Sequence, residues 1–225
     1  MHESSKPMNL GDTTDMKITI FGATGRTGIL LVEQALAAGH EVVAFVRSPE
    51  KMPIEHISLS LVQGNVIHKE DVTKVITPDV DAVISVLGPT RNSSANLMAV
   101  AADNILNAMR EKDVKRLIFM TGAGVSTPGD QPKLINHIIK FALKALSGEV
   151  LKQSEQAVET VRNSDRRWTV VRVPMLTDAS YTGKLRVGMV GVNTGSRLTR
   201  ADAAAFILNQ LTDETYIRKS PVISN

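Results

Sequence analysis

From Met16 onward, short β-branched apolar runs alternate with stretches whose apolar residues recur at helical spacing. Lys17 to Phe21 (KITIF) reads as a strand. It leads through a glycine-rich turn into ILLVEQALAAG, whose apolar spacing is helical and which ends at Gly39. Strand, turn and helix open a βαβ unit, and the alternation then repeats. Strands are predicted over Glu41 to Val46, around Leu61 (SLVQG), over Asp81 to Gly88, over Arg116 to Met120 and over Trp168 to Val173. Helices are predicted near Lys69 to Ile76, over Asn96 to Glu111, over Glu149 to Asn163 and after Arg200. The strands are continuously apolar. A sheet with one wet face would alternate with period two, so this pattern predicts a parallel sheet buried on both faces, a doubly wound α/β fold.

Two stretches interrupt the alternation. Thr127 to Ser147 carries Pro128, Gly129 and Pro132, then an amphipathic helix, Leu134 to Leu146, with Lys133, His137, Lys140 and Lys144 toward one side. That helix reads either as packed on the body with a solvated basic face or as a surface for a protein partner. Residues 178 to 199 hold Gly, Thr and Ser with a strand-like LRVGMV, and read as a small C-terminal excursion covering the substrate end of the sheet. Residues 1–15 are polar and aperiodic and predict a flexible leader, which leaves 16–225 as a single domain.

Composition narrows the chemistry. The 225 residues are 43% hydrophobic and contain no cysteine, which excludes disulfides, thiolate metal sites and a Cys nucleophile. No apolar run reaches the roughly 18 residues of a membrane span, so a cytoplasmic protein without a membrane partner is expected. Lys and Arg number 26 against 23 Asp and Glu, spread along the chain, which gives no support to a nucleic-acid partner. The five histidines are scattered, so no metal site is expected. Neither a nucleophile elbow nor a Walker motif is present.

One motif carries chemistry. Gly22, Gly25 and Gly28 are spaced GxxGxxG between a strand and a helix. Glycine permits the tight turn and a close backbone approach to a pyrophosphate, and the helix N-terminus offers unpaired N–H groups with a partial positive charge. With a strand before it and a helix after it, the motif reads as the dinucleotide-binding turn of a Rossmann fold rather than as a plain tight turn. The next strand chooses between dinucleotides. An acidic residue at its end would accept from a ribose 2′-hydroxyl, whereas a 2′-phosphate calls for Arg. Here the strand ends in Arg47, with Arg26 in the turn and Lys51 close by in sequence. The expected cofactor is therefore NADP(H), held by charge-assisted guanidinium bonds. In open parallel sheets the ligand lies beyond the carboxyl ends of the strands, which places Asn65 and Val66, Leu87 and Gly88, and Thr121 and Gly122 along the cleft. Gly88 and Gly122 read equally as turn glycines, and Asn65 and Thr121 as caps of their own loops.

In order and spacing, FGATGRTG, VRSP, QGNV, DAVISVLGPTRN, the Asn104 to Met109 helix segment NILNAM, VKRLIFMTGAGV, WTVVRVP and LTRADAAAFIL resemble the atypical short-chain dehydrogenase/reductases. The branch is the NmrA-like and flavin reductase (biliverdin-IXβ reductase)-like NAD(P)-binding family. The resemblance implies that Thr24, Gly25, Arg26 and Thr27 hold the pyrophosphate and Arg47 the 2′-phosphate. It implies further that Asn65 and Val66 flank the adenine. Leu87, Gly88 and Arg91 would line the middle of the cofactor, with Thr121 and Pro174 near the nicotinamide. Lys152 and Glu155 resemble a Lys and a Glu that many members carry.

Departures from that pattern shape the functional expectation. The wider superfamily uses a Tyr-x-x-x-Lys pair for proton exchange. Here there are two tyrosines: Tyr181 is followed by Lys184 at a spacing of three within the excursion, and Tyr216 lies near the C-terminus. Flavin/biliverdin-IXβ reductases carry a Ser after the Thr of the fifth strand and a His after the Pro of the sixth, where this chain has Gly122 and Met175. No catalytic residue is assigned; Thr121 and Lys152 are the candidates. The expected activity is NADPH-dependent hydride transfer to a flat conjugated acceptor, a flavin or quinone, which requires stacking and orientation more than dedicated acid–base groups. The alternative is an NmrA-like NADP(H)-binding redox sensor that acts through a protein partner.

Overall fold

The computed structural model describes residues 15–88, 96–132 and 134–225, with the backbone alone over 134–147. Strand β1 (Lys17–Phe21) enters helix α1 (Arg26–Ala37), which returns to β2 (Glu41–Val46); a 3₁₀ turn at Pro49–Lys51 precedes β3 (Leu59–Gln63). Then follow α2 (Lys69–Val75), β4 (Ala82–Ser85), α3 (Leu97–Glu111), β5 (Arg116–Gly122), α4 (Leu134–Arg162) and β6 (Arg167–Val173). The chain ends through β7 (Met175–Thr177), β8 (Arg186–Gly188), β9 (Arg197–Thr199), α5 (Arg200–Asn209) and β10 (Val222–Ser224).

The main sheet has the order β3-β2-β1-β4-β5-β6-β10-β8, and every pairing in it is parallel except β10 with β8. From β1 the chain winds outward to β3, then restarts at β4 on the other side. This reversal opens a crevice between β1 and β4 at the carboxyl edge of the sheet, where a doubly wound fold binds its ligand.

Apolar residues cover both sheet faces, as the unbroken apolar strands predict. On one face Ile18, Ile20, Val42, Ala44 and Ile118 pack with Leu31, Val32, Ala203 and Ile207 of α1 and α5. On the other, Phe21, Phe45, Leu117 and Phe119 pack with Val72, Ile105, Met109 and Val158 of α2, α3 and α4. Each such large side chain contributes ~1.5–3 kcal/mol by leaving water.

Three features depart from the sequence reading. The helices expected at 134–146 and 149–163 form one continuous α4, running through Ser147 and Gly148. An interior glycine costs only ~1 kcal/mol relative to Ala, and the packing of α4 along α3 outweighs it. The 178–199 excursion does more than cover one end, because its strand β8 lengthens the main sheet by pairing antiparallel with β10. The terminal strand β10 carries no periodic signal at three residues, yet Ile223 is fully buried. At the amino edge, the buried Arg116 donates to the backbone oxygens of Gln210 at 3.0 Å and Arg167 at 2.7 Å. Burial pushes its pKa down to about 10, still well above neutrality.

Candidate functional site

The glycine-rich turn is built by close approach. Gly22 has φ +85, and a Cβ there would lie 2.9 Å from the Val86 backbone, so the loop after β4 sits directly on the turn. At Gly28 a Cβ would fall 2.1 Å from the Gly22 oxygen, so the first helical turn packs on the strand only if this residue has no side chain. The Gly25 N–H donates to the Gly22 oxygen at 3.0 Å, and Ile29 makes the first helical bond to Gly25 at 2.9 Å. Gly25 is the N-cap with no side-chain cap, and the first turn carries no acidic residue. The N–H groups of Arg26, Thr27 and Gly28 therefore open α1 with no intrahelical acceptor, toward a partial positive charge that suits a phosphate.

The other predicted residues follow along the same carboxyl edge. Arg47 is the first residue beyond β2 and is exposed, and among the described residues its guanidinium has no ion pair. Its backbone oxygen accepts from Gln63 at 3.2 Å, which fixes the base of the side chain against the end of β3. Lys51 is exposed on the 3₁₀ turn, with Glu50 beside it. After β3, the Asn65 N–H donates to Asp71 at 3.0 Å and the Asn65 Oδ1 accepts from the Ile67 N–H at 3.3 Å. The Asn65 side-chain oxygen is thus occupied by its own loop, and among the described residues its amide Nδ2 has no partner. The bond from Asn65 holds the Asp71 carboxyl below its ordinary range.

Val66 is buried, Leu87 is half-buried and Gly88 is exposed, with space around its Cα. Thr121 is buried beside Arg172 in the β5–β6 register, Gly122 pairs with Val173, and Pro174 follows half-buried. Arg91 lies outside the described residues, as do the side chains of the Leu134 to Leu146 helix. Lys152 is exposed on α4, whereas Gln153 next to it is buried against the body. The fold therefore aligns the glycine turn and the ends of β2 to β6 along one edge, while Lys152 faces solvent.

Four polar contacts escaped sequence reasoning. Asn104 of α3 is buried and donates through Nδ2 to the Val66 oxygen at 2.9 Å, which anchors the loop after β3. Asn104→Ala leaves that carbonyl unpaired and is expected to cost ~1–3 kcal/mol, measured by urea unfolding. Arg172 is fully buried at the carboxyl end of β6. It meets Asp130 through two bonds, at 2.7 and 2.8 Å, and donates to the oxygens of Val125 at 3.1 Å and Ser220 at 2.9 Å. Asp130 also accepts from the Thr127 and Val190 N–H groups. Burial opposes ionisation of Asp130, but the Arg172 guanidinium and these N–H groups outweigh it and hold its pKa below the usual carboxylate value.

Asp202 is buried at the third position of α5 and accepts from the N–H groups of Thr182 at 3.2 Å and Gly183 at 2.9 Å, and from Asn225 Nδ2 at 2.6 Å. The excursion is thereby tied to the start of α5. Finally, Asp178, just beyond β7, pairs with Arg26 at 3.3 Å and with Arg200 at 2.6 Å. Two of these four had a sequence signal. Arg172 is a charge inside an otherwise apolar strand, and Thr199-x-x-Asp202 is the spacing of a capping box, with Asp202 N–H donating to Thr199 Oγ1 at 3.0 Å.

Residues 22–214 match the protein family described as NAD(P)H-binding. The chain belongs to that family. This NAD(P)H-binding protein is 25% identical over 213 residues to the uncharacterized protein YwnB of Bacillus subtilis, covering 87% of the chain and 92% of the relative. In fold it resembles the oxidoreductase ylbE of Lactococcus lactis, with TM-score 0.79, 22% identity and coverage of 93% and 91% of the two chains. A short-chain dehydrogenase/reductase of Veillonella parvula, solved in complex with NADP, gives TM-score 0.76 at 20% identity, covering 93% and 94%. ChuY of Escherichia coli O157:H7, described as an anaerobilin reductase, gives 0.73 at 19% identity, covering 92% and 96%. The expected Rossmann fold and NAD(P)H class both hold for this NAD(P)H-binding protein, and its glycine cradle and uncapped α1 N-terminus fit a dinucleotide pyrophosphate. Among the described residues no helix is long and apolar enough to cross a membrane.

Proposed function

We propose that this protein is an NADPH-dependent reductase that passes hydride to a flat conjugated acceptor, a flavin or a quinone. The observation that carries the choice of NADPH is Arg47: exposed, without an ion pair among the described residues, and placed at the end of β2 where a carboxylate would select NAD(H). Bound NADPH would supply the hydride, two electrons and one proton's mass delivered from the nicotinamide to the acceptor; the second proton comes from water. The protein's residues do the rest by position. The N–H groups of Arg26, Thr27 and Gly28 hold the pyrophosphate. Arg47, with Lys51 near it, takes the 2′-phosphate, Asn65 and Val66 flank the adenine, and Thr121 and Pro174 border the nicotinamide end.

The acceptor class follows from what that end offers. Gly122 has no side chain and Met175, directly after Pro174, is 58% exposed, so this end is open and has neither the Ser nor the His that a dedicated proton donor would require at these two positions. Stacking a planar ring there requires no such donor. ChuY, as an anaerobilin reductase, is a protein of this fold named for a reductase activity, and the lack of a Tyr-x-x-x-Lys pair in this sequence speaks against an epimerase. The same openness favours a second reading, a nucleotide-dependent sensor that binds NADP(H) and does not turn over. Purified protein mixed anaerobically with NADPH and FMN, riboflavin or a small quinone is expected to oxidise NADPH well above the buffer rate and to use NADH more slowly. Tight binding with no turnover of any acceptor would leave the sensor as the surviving function.

A further inference from the structure

Arg26 and Arg200 are each the first residue of a helix, α1 and α5, and both reach the carboxylate of Asp178. The two contacts are unequal. Arg200 is nearly buried, with 9% side-chain exposure, and its Nη1 lies 2.6 Å from Asp178 Oδ1. Arg26 is 73% exposed and meets Asp178 Oδ2 through a single 3.3 Å contact. An exposed pair of that kind is weakly held and strongly hydrated, so Arg26 is the partner that Asp178 can lose, while Arg200 keeps the carboxylate in place.

We propose that Asp178 is an internal competitor of the cofactor phosphates for the Arg26 guanidinium, and so sets the affinity of the site for its dinucleotide. The inference rests on the reading of the Gly22 to Gly28 turn as the phosphate cradle. A phosphate seated on the α1 N-terminus lies within reach of Arg26 and offers it a stronger, charge-assisted partner than Asp178. Arg26 turns from the carboxylate to the phosphate, and Asp178 remains on Arg200 as a nearby like charge. Asp178 begins the excursion, so the exchange also detaches the first residue of that segment from the phosphate turn without breaking the Asp202 ties to Thr182 and Gly183.

Asp178→Asn keeps the shape and an acceptor oxygen for Arg200 while removing the charge. Calorimetric titration with NADPH is expected to show about threefold tighter binding in this variant, in line with the small worth of an exposed ion pair, and a smaller gain as salt is raised. In an Arg26→Ala background the same substitution is expected to lose most of that gain, since the competition requires the guanidinium; a merely structural role of Asp178 would act alike in both backgrounds. Asp178→Ser repeats the comparison should Asp178→Asn fold poorly. Unchanged or weaker binding, or an equal gain without Arg26, overturns the competition. If the wild-type protein binds NADPH and only these comparisons fail, the cofactor reading stands; if the wild-type protein binds no dinucleotide, both fall.

Discussion

Arg47→Glu is expected to weaken NADPH binding by about two orders of magnitude, because hydrogen bonds to charged groups are worth ~1.5–3 kcal/mol and the new carboxylate adds repulsion of the 2′-phosphate. NADH, which lacks that phosphate, should lose little, and the Glu side chain in this position offers an acceptor to the ribose 2′-hydroxyl. The preference between the two cofactors should therefore shrink or invert. Thermal stability should hardly move: Arg47 is exposed without an ion pair among the described residues, and substitutions at such positions change stability by ~0.5 kcal/mol or less. Parallel titrations of wild type and variant with NADPH and NADH decide the matter. Equal NADPH affinity in the two proteins would remove Arg47 from the 2′-phosphate and leave Arg26 or Lys51 to take it.

That the glycine turn and Arg47 can be located from sequence reflects how this end of the sheet is built. Gly25 and Gly28 meet backbone of the same turn, Gly22 also meets the distant Val86 loop but keeps the motif's spacing, and Arg47 stands at the end of the next apolar strand, so local pattern suffices to find them. The long alternation of apolar strands and helices is legible for the same reason: the central strands β1, β2, β4, β5 and β6 are buried on both faces, and Ile18 or Phe45 has no other environment available. The half built around β6 and the 178–199 excursion is different in kind. Its shape depends on pairs separated widely along the chain, Arg172 with Asp130, Arg200 and Arg26 with Asp178, Asp202 with Thr182 and Asn225. A charge in an apolar strand announces that a partner exists without saying which of 23 acidic residues it is. The three-residue strands β7 to β10 are too short to carry a period. Ser147-Gly148 read as a break because local propensity disfavours glycine in a helix, and packing against α3 overrides that propensity.

The Arg172–Asp130 pair makes the largest stability prediction. Asp130→Ala strands a guanidinium with no exposure at all beside Val125, Ser220 and Met189. Removing one partner of a buried pair costs ~3–5 kcal/mol, and the urea midpoint should fall accordingly. Replacing both, as in Asp130→Leu with Arg172→Met, should recover much of that loss, since no charge is then left uncompensated. The wild-type protein should also show the pair in acid. The folded Asp130 has a lowered pKa, so its contribution is complete above the unfolded value near 3.8 and disappears as pH falls through the lower folded value. Over that window stability should drop less steeply in the double variant than in wild type. Function should follow a separate course. Asp130 fastens the Thr127 turn and the Val190 segment to Arg172, two residues before Pro174, which is proposed to border the nicotinamide. The folded double variant is therefore expected to bind NADPH normally at the distant Arg47 while turning over its acceptor poorly, with KM raised. A double variant that regains both stability and full turnover would show that the pair holds the fold and leaves the acceptor's position to other residues.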